Sequence, residues 1–130
     1  MTPTQRTLAA QKKLGRKCGV VERFIKPPNS SGWRMDLFHI IDIIALDKDV
    51  GVVGVQSCGT AFSEHIKKMT VEYDYESIDW LRTKGTTLEL WAWRKLKVKR
   101  GGKAVRYVPR VAQLSLSRDK LIWHEIEPFA

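Results

Sequence analysis

Cysteine and histidine are scarce in this chain, and long apolar runs are missing. The two cysteines, Cys18 and Cys58, make neither a disulfide framework nor a metal-knuckle spacing. That argues against a stapled secreted scaffold and leaves two reduced thiols in a cytoplasmic protein as the expectation. The three histidines, His39, His65 and His124, share no ligand spacing, which argues against zinc. No apolar stretch approaches the roughly 20 residues that cross a bilayer, and the first residues lack the apolar centre of a signal peptide, so no membrane partner is expected. No serine stands in a nucleophile-elbow context, and Gly51 and Gly54 lack a phosphate-loop lysine.

Acidic residues are nearly missing from two stretches, and this absence is informative. Residues 1–35 carry eight Lys/Arg against one acid, Glu22, and residues 94–110 carry eight Lys/Arg and none. The middle, 36–93, holds ten acids and five bases, within a net charge of +9. Basic flanks around an acidic centre suggest phosphate-backbone binding at the edges and cation chemistry between them. A merely solubilising role for the lysines is the plain alternative. The length of 130 residues supports one domain, 1–130, with a real core.

The order of elements predicts an α/β or α+β fold with a mixed sheet. A helix is expected over Thr4–Lys17 and a strand over Gly19–Lys26, followed by the loop Pro27–Gly32. Asp36 to Asp47 reads as a buried central strand, apolar on both faces, with Phe38, Ile40, Ile44 and Leu46 on the side of Asp42. Val50–Cys58 returns beside it after the turn Asp47–Gly51. Two helices follow, Thr60 to about Met69 and Asp74 to Lys84, with Gly85 as the stop. Thr86–Lys99 alternates, placing Trp91, Trp93, Lys95 and Lys97 on one face. The turn Arg100–Lys103 and three short strands, Ala104–Val108, Val111–Leu116 and Leu121–Ile126, complete the chain.

A carboxylate in a two-sided apolar strand is costly unless something compensates it. Asp42 with Gln56 on the neighbouring strand offers oxygens suited to Mg²⁺ or Mn²⁺. Glu22 is the candidate second acid, and Asp36 the reserve. Lys68, or else Lys67, could reach in from the following helix to stabilise developing charge, or form a structural pair with the acid. Trp91 and Trp93, interleaved with lysines, could stack on nucleotides, or belong to the core or a partner interface.

The segments Arg34–Asp47, Val53–Gln56 and Ser63 with Lys67-Lys68 resemble the core of the PD-(D/E)XK nuclease superfamily, and most of all small phage proteins similar to Holliday junction resolvases. The resemblance spans about Gly19 to Lys95. It implies a restriction-endonuclease-like mixed sheet flanked by helices, with C-terminal antiparallel strands, acting as a homodimer on branched DNA. The superfamily's first acid maps onto Asp42, its second acid onto Gln56 and its lysine onto Cys58. The last two depart from the pattern, leaving Lys68 as a relocated lysine. The first helix also lacks the expected acid, for which Glu22 is a displaced substitute, and Ser30 and Ser31 match the serine-bearing loop only loosely.

The expectation is therefore a Mg²⁺- or Mn²⁺-dependent DNA endonuclease. Asp42, Gln56 and Glu22 would hold the ion, and Lys68 would support the transition state. Lys12, Lys13, Arg16, Lys17, Arg23, Lys26, Ser30, Ser31, Arg34, Lys67, Lys97, Lys99, Arg100 and Lys103 would hold DNA. The alternatives are a non-catalytic DNA-binding protein on the same fold, or a phage protein-interaction module using the Trp91/Trp93 face.

Overall fold

The protein is an α+β sandwich in the computed structural model, which describes all residues from Met1 to Ala130. The first helix, α1 (Pro3–Lys13), starts where Thr2 caps it: its side chain accepts from the Gln5 N–H while the Gln5 side chain accepts from the Thr2 N–H. Pro3 takes the first helical position, where its missing N–H costs nothing, and Lys12 and Lys13 complement the C-terminal end of the helix dipole. This helix is shorter than the expected Thr4–Lys17. Gly15 turns the chain with a φ of +79°, and Lys17 already belongs to a strand.

Six strands form the main sheet in the order β1 (Lys17–Val20), β4 (Ile43–Asp47), β5 (Gly51–Cys58), β6 (Thr86–Lys97), β7 (Val105–Ser117), β8 (Lys120–Ile126). Only β5 and β6 run parallel, as the helical crossover between them requires. That crossover holds α2 (Phe62–Lys67), a π-turn at Lys68–Glu72 and α3 (Asp74–Arg82). A separate hairpin, β2 (Arg23–Ile25) with β3 (Trp33–Met35), projects from the chain between β1 and β4. The expected strand Gly19–Lys26 is thus two strands in two sheets, separated at Val21-Glu22.

Both faces of the sheet are covered, so apolar residues appear at both parities along the central strands. On the α1 side, Ile43, Ala45, Val53, Val55, Trp91, Trp93 and Val111 pack with Ala10. On the other side, Ile40, Ile41, Leu88, Leu90, Ala92 and Leu114 meet Phe62, Ile66 and Met69 of the crossover. Gly54 admits this second layer, because a Cβ there would fall 2.6 Å from the Ile41 side chain and 3.0 Å from Trp80. The nucleotide-stacking and partner-facing readings of Trp91 and Trp93 fail here. Both rings are buried, with Trp93 Nε1 donating to Thr7 Oγ1 (2.9 Å) and Trp91 Nε1 to Glu89 Oε1 (2.9 Å).

Two further expectations are corrected. Asp36–Asp42 is a tight turn rather than the first half of a strand. Its Leu37 and Ile41 bridge, and Phe38 and His39 both adopt left-handed backbone, with φ of +54° and +65°. Phe38 is therefore exposed instead of sharing the buried side of Asp42. A run of Leu, Phe and Ile without Gly or Asn reads as strand because no residue announces the turn. The segments Ala104–Val108 and Val111–Leu116 are, conversely, one long strand. Pro109 sits opposite Trp93, where β7 has a neighbour on one side only because β8 pairs from Val111 onward.

Candidate metal centre

Three carboxylates converge on the crossover side of the sheet. Asp42 stands immediately before β4, Glu22 immediately before β2 and Asp36 immediately after β3, so the hairpin delivers two of the three from its roots. Their oxygens lie within 4.8 Å of one another. Asp42 is only 4% exposed. Its Oδ1 accepts the Ser57 backbone N–H at 3.1 Å, and its Oδ2 accepts Gln56 Nε2 at 3.0 Å. The same Gln56 amide nitrogen reaches Asp36 Oδ2 at 3.1 Å.

The cations are unevenly shared. Lys68 Nζ donates to Asp36 Oδ2 at 3.1 Å and to Gln56 Oε1 at 2.9 Å, while Arg34 lies 3.3 Å from Glu22. Asp42 has no ion pair at all, only neutral donors. Burial pushes its carboxyl up to about 7, and the charges of Asp36 and Glu22 push the same way against the Ser57 and Gln56 hydrogen bonds. Cys58 is driven up to about 11 by burial and by the charge of Asp42, partly offset by Lys68, so it is an inert thiol beside the site.

These side chains suit a hard divalent cation. All three converging donors are carboxylate oxygens, and the most buried of them lacks a cationic partner. Of the residues expected to hold the ion, Glu22 and Asp42 are in the cluster and the reserve acid Asp36 completes it. Gln56 lies against both aspartates but turns its oxygen to Lys68, which makes it an orienting group in this arrangement. Lys68 faces the cluster and Lys67 is exposed to solvent on its helix.

The residues expected to hold DNA divide into groups. Lys12 and Lys13 are exposed at the end of α1, and Lys17 on the edge strand β1. Arg23, Lys26, Ser30, Ser31 and Arg34 all belong to the β2–β3 hairpin and its loop, beside the carboxylates. Lys97, Lys99, Arg100 and Lys103 crown a two-stranded ribbon, where β6 and β7 run on past Trp93 and Pro109 with both faces largely exposed.

Arg16 does not belong with these. It is enclosed by Asp47 (2.9 Å) and Glu89 (3.0 Å), with Gln11 accepting a further bond at 2.7 Å. This buried cluster lies on the α1 face, across the sheet from the carboxylates. Its one signal in the sequence is an acid, Glu89, inside the run Leu88–Trp93.

No family model, curated protein or solved structure matches this chain.

Proposed function

We propose that this protein is a divalent-metal-dependent nuclease that hydrolyses DNA phosphodiester bonds, with branched DNA as the substrate implied by the resemblance to junction resolvases. The observation that carries this reading is Asp42: a buried carboxylate beside two other acids, given neutral hydrogen bonds but no cation. Glu22, Asp36 and Asp42 would hold Mg²⁺ or Mn²⁺. The chemistry supplied by the bound ion is Lewis-acid polarisation of a phosphoryl oxygen and a lowered pKa for the attacking water.

The protein's own groups do the rest. The Ser57 N–H and the Gln56 amide fix the Asp42 carboxylate in one orientation, so two of its oxygen lone pairs are committed before any ligand arrives. Lys68, hydrogen-bonded to Asp36 and Gln56, brings a positive charge to where negative charge grows on a phosphate. The basic hairpin and ribbon attract the DNA backbone on either side. Asp42→Asn should abolish Mg²⁺-dependent cleavage of a four-way junction while leaving binding within about twofold of the parent. Equal cleavage by the variant would refute the site.

One observation favours a second reading, a DNA-binding protein that does not cut. Lys68, Asp36 and Gln56 satisfy one another, and Gln56 and Cys58 stand where the superfamily has an acid and a lysine. Salt-sensitive binding with no product at any Mg²⁺ or Mn²⁺ concentration would establish it.

A further inference from the structure

Beside the carboxylates lies an open cleft of about 290 Å³ whose walls are aromatic and cationic. Trp33 of β3, 48% exposed, lines it. His39 and Tyr73 line it as well, their rings stacked at 4.8 Å with planes 12° apart. Arg34 and Lys68 supply positive charge, and Asp36 joins the cleft to the metal centre. The volume is at the low end of the range for small-molecule sites, about 300–1,000 Å³, which suits one nucleotide and not a duplex.

A second observation concerns the turn that holds His39. Two successive residues with side chains, Phe38 and His39, are both left-handed, a conformation that strongly favours Gly or Asn. Arg118 and Asp119 adopt the same pair of conformations in the β7–β8 turn, so the geometry is that of a tight hairpin turn, here closed by the Leu37–Ile41 bridge. The turn sets His39 on Tyr73 and keeps the cleft wall beside Asp36.

We infer that this cleft binds an unpaired nucleobase next to the scissile phosphate, stacked on its aromatic lining of Trp33, His39 and Tyr73. The inference rests on the nuclease reading and deepens it. The substrate class becomes DNA with an unpaired or extruded nucleotide at the cut, because a base still paired in a duplex cannot enter a single-nucleotide cleft. Aromatic stacking supplies affinity without base identity, since every base has a π-face. Arg34 and Lys68 meet the phosphate that follows the base.

Binding tests this separately from cleavage. The probes are a duplex with a one-nucleotide bulge, the same duplex with an abasic residue at the bulge, and a fully paired duplex. Affinities are measured in Ca²⁺, an oxygen-seeking ion that neutralises the carboxylates. The bulged probe should bind about tenfold tighter than the abasic one, and Trp33→Ala should erase that difference. The variant Phe38→Asn with His39→Gly relieves the turn, so it should melt at a higher temperature than the parent and yet lose the base preference. Equal affinity of the parent for bulged and abasic probes overturns the cleft assignment, while Mg²⁺-dependent cleavage in the same protein leaves the nuclease reading standing. A base preference without cleavage at any metal concentration supports the cleft and defeats hydrolysis instead.

Discussion

At the scale of single residues, the proposed chemistry rests on Asp42. Its carboxyl is held up at about 7 in the folded chain against about 3.8 unfolded, so the folded state keeps a proton that the unfolded chain gives up. The contribution of Asp42 to the stability of the metal-free protein is therefore fully present below pH ~4, falls as pH rises toward 7, and levels off above. In chelator, the melting temperature should drop between pH 5 and 8, and Asp42→Asn should flatten that slope. Added Mg²⁺ should raise the melting temperature more at pH 8 than at pH 5. Cys58, with its thiol near 11, should resist disulfide reagents at pH 8 in the folded protein and react on unfolding.

Asp42 was legible in the sequence because an acid among isoleucines is conspicuous. Glu22 and Lys68 were legible as partners. Asp36 as a full member of the cluster was not, because the left-handed turn at Phe38-His39 that folds it back carries no Gly or Asn. Arg16 misled for the opposite reason: a base in a basic flank looks solvated until its acids, Asp47 and Glu89, arrive from distant strands.

At the scale of elements, the ribbon and the Arg16 cluster do different work. Replacing Lys97, Lys99, Arg100 and Lys103 by glutamine should leave the melting temperature within a degree or two, because the ribbon tip lies outside the core. The same variant should weaken DNA binding and lower the slope of log affinity against log salt by about one for each phosphate no longer neutralised. An unchanged slope would take the ribbon out of the interface. Arg16→Ala should behave in the reverse way. Stripping the cation from buried Glu89 and from Asp47 should cost about 3–5 kcal/mol in urea unfolding, with little effect on the salt slope.

The elements themselves were mostly readable from periodicity and punctuation. The Asp47–Gly51 turn joins β4 to β5 and the crossover between β5 and β6 is helical as expected, whereas α3 ends at Arg82, where Thr83 turns extended, short of the expected stop at Gly85. The break at Val21-Glu22 was not readable, since a strand that changes sheets keeps its alternation while its partner changes.

At the scale of the whole molecule, the fold places an acidic centre on one face of a mixed sheet and basic appendages around it. The α1 face is sealed by Trp91, Trp93 and the Arg16 cluster, and the crossover face presents the carboxylates at the roots of a hairpin. The α+β class followed from element order alone. The convergence of Glu22, Asp36 and Asp42 needed the three-dimensional path of the hairpin, which no local spacing encodes.

The central claim is that these three carboxylates form one metal site. Crystals soaked in Mn²⁺ test it most directly through anomalous scattering. The expected result is a peak within ligand distance of carboxylate oxygens from Glu22, Asp36 and Asp42. A map with no peak there, while Lys68 remains bonded to Asp36 and Asp42 keeps only its Ser57 and Gln56 donors, would contradict it.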